Sequence, residues 1–267
     1  MIFSVTTMGT ASAMPISDRN PSAQMLAASG RLFLIDCGEG TQVQMRRCHF
    51  SFVKIEAIFI SHIHGDHMFG IFGLLNSMAM YGRSAPLDIY GPQALGGVLT
   101  FYRNYFGSDD FFEIRFHPLN FSGIQPIHES KHLTVSAFPL NHKIECYGFR
   151  FDETVTERHM QENPEYRAKS YAYCSDTAPF PELAGYVKGV SCLYHEATYM
   201  NEMADKAVAR FHSTAAQAAA CAKEAGAGML VVGHYSSRIA DIGALLAECK
   251  EVFPDTFAAS DCDVFEF

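Results

Sequence analysis

The sequence predicts an α/β fold in which mixed β-sheets carry helices on their outer faces, and three observations predict it. Short runs rich in β-branched and aromatic residues recur along the 267 positions, capped helical stretches separate some of them, and elsewhere one run follows another directly. Alternation of strand and helix favours parallel neighbours, and direct succession favours antiparallel ones. Mixed sheets are therefore expected.

From the N-terminus, strands are expected at 2–7, 31–36, 55–60 and 87–90, where Ile, Val, Phe and Tyr cluster. A helix is expected from Met68 to Met80 and another over 93–106. Further strands fall at 133–139, 147–151, 170–174, 190–194 and 229–233. The clearest helix covers the alanine-rich 215–225, with Ser213 or Thr214 as its N-cap and Gly226 as its stop. A last helix spans about 241–252 and ends before Pro254. No internal repeat or Gly/Ser linker divides the chain, so one domain over 1–267 is expected.

Composition narrows the function classes. A hydrophobic content of 48% supplies a core, and no apolar run reaches the roughly 20 residues that span a bilayer. The N-terminal Met1-Ile2-Phe3-Ser4-Val5-Thr6 lacks the basic region of a signal peptide, which points to the cytoplasm. The cysteines at 37, 48, 146, 174, 192, 221, 249 and 262 follow no CxxC or small-scaffold spacing, so reduced thiols filling the core are expected. A net charge of −9 disfavours bulk attraction to nucleic acid and leaves room only for a local basic patch.

Chemistry concentrates in Ser61-His62-Ile63-His64-Gly65-Asp66-His67, directly after the apolar strand 55–60. Three imidazoles suit Zn²⁺ or a similar borderline ion, and Asp66 adds a harder oxygen ligand. A histidine-rich surface loop is the plain alternative, but it needs neither this spacing nor a buried strand feeding it. Further donors follow other expected strands: His142 after 133–139, Asp176 after 170–174 and His234 after 229–233. Two ions about 3.5–4 Å apart need a shared oxygen ligand. In that scheme His62, His64 and His142 hold one ion, Asp66, His67 and His234 hold the other, and Asp176 bridges them. The same nitrogen and oxygen donors accept Mn²⁺ or Fe²⁺ as well as Zn²⁺. His195-Glu196-Ala197-Thr198 and His212-Ser213-Thr214 stand beside these donors as a supporting shell or proton relay. Structural roles are equally open there, with Ser213 capping the helix and His212 near solvent.

Together these segments resemble the ribonuclease Z branch of the metallo-β-lactamase superfamily over most of the chain. The resemblance includes the signature at 61–67, Met8-Gly9-Thr10-Ala11-Ser12-Ala13 with Pro15 and Arg19-Asn20, and Asp36-Cys37-Gly38-Glu39. It continues through Tyr147-Gly148-Phe149-Arg150, Ser175-Asp176-Thr177, the 195–198 and 212–214 motifs, and Gly233-His234-Tyr235-Ser236-Ser237-Arg238. The signature at 61–67 is shared by many chemistries, and the last three motifs are far more selective.

The resemblance implies a four-layer αββα sandwich, two Zn²⁺ per subunit, a homodimer, and endonucleolytic removal of 3′ trailers from precursor tRNA by metal-bound hydroxide. It implies that Asp66 orients or deprotonates the attacking water, and that His212 with Glu196 assists the leaving 3′-oxygen. One feature departs from the family. Its members usually carry a long arm between the third metal motif and the bridging aspartate, whereas only 143–175 lie between His142 and Asp176 here. That interval holds five Lys/Arg against six acids, with at most a short excursion around 153–168. The alternative function is therefore an arm-less phosphodiesterase for small or cyclic nucleotide diesters. Arg19, Arg46, Arg47 and Arg238 are candidates to line a shorter groove.

Overall fold

The computed structural model describes residues 3–107 and 112–267, apart from the side chain of His159. In the first sheet the strands are β1 (Phe3–Gly9), β3 (Ala23–Ala28), β4 (Arg31–Ile35), β5 (Ile55–Phe59), β6 (Leu87–Pro92), β7 (Ile114–Leu119) and β16 (Val264–Glu266), in the order β16-β1-β3-β4-β5-β6-β7. The second holds β8 (Gln125–Glu129), β9 (Leu133–Pro139), β10 (Tyr147–Glu153), β11 (Ser170–Cys174), β12 (Cys192–Glu196), β13 (Met229–Gly233) and β15 (Thr256–Ala258), in the order β15-β13-β12-β11-β10-β9-β8. A parallel ribbon of β2 (Ala11–Ser12) and β14 (Tyr235–Ser236) ties the two halves together. Each large sheet is mixed: β4 to β7 and β11 to β15 pair in parallel, and the remaining neighbours pair antiparallel.

Alternation along the strands sorts side chains into three cores. Phe33 and Ile35 of β4 join Phe149, Phe151, Tyr171 and Val231 between the sheets, whereas Leu34 turns outward to Met45, Leu74 and Leu95 on the helical side. On the other outer face, Leu230 and Val232 of β13 meet Ala218, Ala219 and Ala222 of the helix Ala215–Ala225. Helix, sheet, sheet and helix form the four layers. Small residues at 215, 218, 219, 222 and 225 let that helix lie close to the sheet, and a Thr214–Gln217 capping box and Gly226 at φ 64° fix its ends.

Several expectations change. Residue 2 of the first expected strand lies outside the described residues. The helix expected over 68–80 is two pieces, Gly65–Met68 and Ile71–Met80. Gly70 separates them because the chain must pass the 37–38 loop: its N–H donates to the Cys37 carbonyl, and a Cβ there would stand 2.0 Å from the Gly38 oxygen. The strand expected at 190–194 runs from Cys192 to Glu196, so His195 and Glu196 belong to it. The cysteines are not all free either. Cys48 and Cys262, with Cα atoms 5.9 Å apart, form a disulfide. Their separation of 214 residues left no spacing to read, and proximity arises because the C-terminal strand returns beside β1. Between β10 and β11, residues 154–169 form a short excursion with the helix Glu157–Glu162. Buried Glu153 closes its base by accepting bonds from the Tyr166 hydroxyl and the Lys169 N–H.

Candidate metal centre

The loops following β5, β9, β11 and β13 converge at one edge of the sandwich. They bring together His62, His64, Asp66, His67, His142, Asp176 and His234. In the first group, His64 Nδ1 stands 3.0 Å from His62 Nε2 and 3.3 Å from His142 Nε2, and Asp176 Oδ2 lies 3.6 and 3.8 Å from the same two Nε2 atoms. In the second, His67 Nε2 and His234 Nε2 are 3.2 Å apart, with Asp66 Oδ2 3.5 Å from each and Asp176 Oδ1 at 3.3 and 3.2 Å. Ligands about 2.0–2.1 Å from a tetrahedral ion are about 3.3 Å from one another, so both groups have the dimensions of a coordination shell. Asp176 divides its two oxygens between them. Oδ1 is buried and makes no hydrogen bond among the described residues, which fits a carboxylate oxygen that would ligate a cation.

The ring nitrogens that face away from the centre are held by acceptors. His67 Nδ1 is 2.8 Å from Asp36, His142 Nδ1 is 3.1 Å from the Phe211 carbonyl, and His234 Nδ1 is 2.9 Å from the Thr198 hydroxyl. His62 Nδ1 is 3.0 Å from the Ser61 hydroxyl. Such partners set the tautomer and aim the other nitrogen inward. Asp36 also accepts bonds from the Ser61 N–H and hydroxyl and from the Tyr173 hydroxyl. Two of the residues involved adopt left-handed backbone, Asp36 at φ 55° and His234 at φ 59°, a strain that clusters at functional sites.

Electrostatics agree with the donor chemistry in the first group. Burial pushes His62, His64 and His142 down toward the neutral form that binds metal. Burial opposes charge on His67 too, but Asp176, Asp66 and Asp36 outweigh it and raise its pKa. For Asp66, burial is overcome by His67 and His234, which hold the carboxyl below the usual range. This cluster of buried carboxylates calls for positive charge.

Beside it, fully buried Glu196 accepts five hydrogen bonds. Oε1 takes the Thr177 and Ser213 N–H groups and His212 Nδ1 at 2.8 Å, and Oε2 takes the Thr198 N–H and hydroxyl. His212 Nε2 then points toward Asp176 Oδ2, 4.0 Å away. Burial works against protonation of His212, yet Glu196 and Asp176 outweigh it and bring the pKa up to about 9. Thr214, not Ser213, caps the helix; Ser213 spends its hydroxyl on the Thr177 carbonyl. His195 turns away, with Nδ1 on the Glu196 carbonyl.

A cleft of about 830 Å³ opens over the cluster. Of the arginines named from sequence, Arg238 lines it, whereas Arg46 reaches Tyr81, Arg47 reaches Gln44 and Arg19 reaches the Ile239 carbonyl. These last three are spent on local packing. Missed from sequence were Lys143, Tyr199, Lys206 and Arg210, which also line the cleft. Nothing in their spacing marks them, because they meet only once the 199–212 segment folds over the edge.

A family model described as a beta-lactamase superfamily domain matches residues 31–235. A ribonuclease Z of Bacteroides fragilis is 34% identical over an alignment of 295 residues covering 97% of both chains, and one of Porphyromonas gingivalis is 35% identical with the same coverage. Each alignment is longer than this chain, so the relatives carry residues within it that this chain lacks. The crystal structure of the short form of human tRNase Z superposes with a TM-score of 0.82 at 28% identity, covering 98% of each chain. On this fold and these full-length relatives, the chain belongs to the ribonuclease Z branch of the metallo-β-lactamase superfamily.

Proposed function

We propose that the cleft is a two-metal phosphodiesterase site that removes 3′ trailers from precursor tRNA. The observation that carries this reading is Asp176, whose Oδ1 faces the Asp66/His67/His234 group while Oδ2 faces the His62/His64/His142 group. The seven donors would hold two ions, Zn²⁺ by donor type, with Mn²⁺ and Fe²⁺ suited to the same set. When bound, such ions polarise a phosphoryl oxygen and make water a nucleophile near neutral pH.

The chain supplies the rest. The Asp66 carboxylate is fixed by the Ala13 N–H at 2.8 Å and, held ionised by His67 and His234, accepts a hydrogen bond that orients the attacking water. His212, held by Glu196, delivers a proton from Nε2 to the departing 3′-oxygen. Backbone N–H groups at 177, 198 and 213 lock Glu196, so the imidazole needs no reorganisation during reaction.

The same reading assigns one catalytic domain to the chain, a cytoplasmic location and a homodimer. No helix among the described residues is long and apolar enough to cross a membrane. For the dimer, the support is the exposed aromatic cluster of Phe101, Tyr105 and Phe106 on the helix Gln93–Phe106.

The short 154–169 excursion favours one second reading, a diesterase for small or cyclic nucleotides. Zinc-loaded protein offered a precursor tRNA with a trailer, a chromogenic diester and cyclic nucleotides separates the two. Cleavage just after the discriminator nucleotide at low enzyme concentration is the expected result. Turnover of the small diesters alone would overturn the tRNA assignment.

A further inference from the structure

We infer that Tyr199, Lys206 and Arg210, with Arg238 and Lys143 on the same cleft lining, form a phosphate seat. It grips the RNA strand on the 5′ side of the scissile bond. The inference rests on the proposed tRNA function and extends it to how a short-armed chain holds its substrate.

Charge distribution is the first observation. In a chain of net charge −9, four cations line one cleft. None of the four forms an ion pair with a described residue, so no such pair offsets their charge at the cleft. The carboxylates that share the cleft, Asp66 and Asp176, belong to the proposed metal centre, which leaves Glu39 as the one other acid on its lining. Unpaired cations gathered at a mouth attract a polyanion that the molecule as a whole repels.

Arrangement is the second. Tyr199 is buried but for its edge in the cleft, and Lys206 Nζ lies 5.5 Å above its ring. Arg210 and Arg238 line the same cleft. Three cations thus share the rim with one phenol, cationic groups for the phosphates of a strand laid along it. The helix Ala204–Arg210 presents Lys206 and Arg210 on one side, four residues apart.

Polarity follows from the proposed chemistry. The Tyr199 ring is 6.0 Å from the ring of His212, which protonates the departing 3′-oxygen in the proposed mechanism. That oxygen belongs to the nucleotide on the 5′ side of the cut. The seat beside His212 therefore meets the acceptor end that is kept, and the released trailer lies outside it. A chain without a long arm has moved part of its grip to the active-site rim.

The test compares wild type with Lys206→Ala/Arg210→Ala, and with Lys206→Arg/Arg210→Lys, which keep the charge. Each zinc-loaded protein is assayed on precursor tRNA and on bis(p-nitrophenyl) phosphate over a range of salt. Expected for the alanine pair is a fall in kcat/KM at least tenfold greater on RNA than on the small diester. The slope of log kcat/KM against log salt should become shallower by about 1.4–1.8, the value for two phosphate contacts. The charge-keeping pair should recover most of the loss. Equal effects on both substrates, or an unchanged salt slope, would overturn the seat. Should wild type leave RNA uncut, the tRNA reading itself fails, and anisotropy of a labelled acceptor-stem RNA judges the seat separately. Weaker, less salt-dependent binding by the alanine pair would still support it, and equal binding would remove it.

Discussion

Replacing Glu196 by Gln tests whether His212 is the proton donor. The carboxylate is fully buried and accepts two backbone N–H groups and His212 on one oxygen, and the Thr198 N–H and hydroxyl on the other. An amide nitrogen must face at least one backbone N–H whichever way it is turned. The milder orientation orphans the Thr198 N–H, at a cost of about 1–3 kcal/mol in stability. The catalytic loss depends on the leaving group. A 3′-alkoxide is a strong base and needs the proton, so precursor tRNA should lose roughly 10²- to 10⁴-fold in kcat, whereas p-nitrophenolate leaves unprotonated and should lose less than about tenfold. His212 must be protonated to act, so activity is present below and lost above its pKa, about 9 with Glu196 beside it and lower once bound cations repel it. In the variant, the alkaline limb of the pH profile should move to lower pH. Stability of the metal-free protein has the same sign. A folded-state pKa of about 9 against 6.5 gives about 3 kcal/mol, complete below about 6.5 and lost as pH rises through about 9. Equal losses on both substrates, with an unmoved alkaline limb, would refute the assignment.

Three further outcomes are expected. Chelation should lower the thermal midpoint: an ion at 100 times its Kd contributes about 2.7 kcal/mol, roughly 5–10 °C for a chain of this size, and Asp176→Asn should lose most of that response in a melt with and without zinc. Thiol titration of the oxidised, denatured protein should count six free cysteines, and Cys48→Ser/Cys262→Ser should lower stability by up to about 5 kcal/mol for a closed loop of 214 residues. Gly70→Ala should destabilise by about 1–3 kcal/mol because its Cβ would meet the Gly38 carbonyl at 2.0 Å, whereas Gly97→Ala, with nothing within 4 Å, should stabilise by about 0.5–1 kcal/mol in denaturant melts.

Strands with aromatic and β-branched residues facing a core were readable from sequence, and those without them were not. Strand β3 reads Ala-Gln-Met-Leu-Ala-Ala and resembles a helix by propensity; it is extended because β1 and β4 pair with it on both sides. Edges were harder still. Strands β7 and β8 carry Arg, His, Gln, Glu and Pro, the polar composition that protects an edge, and β15 and β16 have three residues each. The helix Ala204–Arg210 lacks a wide apolar stripe, with Ala207 alone buried, so nothing in its periodicity announced it. Lys206 and Arg210 escaped notice for the same reason: their meaning lies in what they stand beside.

The convergence of the seven candidate donors was legible because sheet direction does part of the work. In the second sheet β11, β12 and β13 are mutually parallel, and β9 shares their direction because two antiparallel steps through β10 restore it. Whatever follows each of these strands must emerge at one edge, which is where His142, Asp176 and His234 follow and where Glu196 ends β12. Their convergence needs no recognition of the motif, only strand direction and the rule that ligands gather at carboxyl ends of parallel strands. What direction cannot supply is the final aim of a side chain. That comes from local devices such as the left-handed turn at His234 and the Asp36, Thr198 and Phe211 acceptors behind the imidazoles. Disturbing an acceptor should therefore misdirect one ligand and weaken one ion, whereas disturbing Asp176 should weaken both.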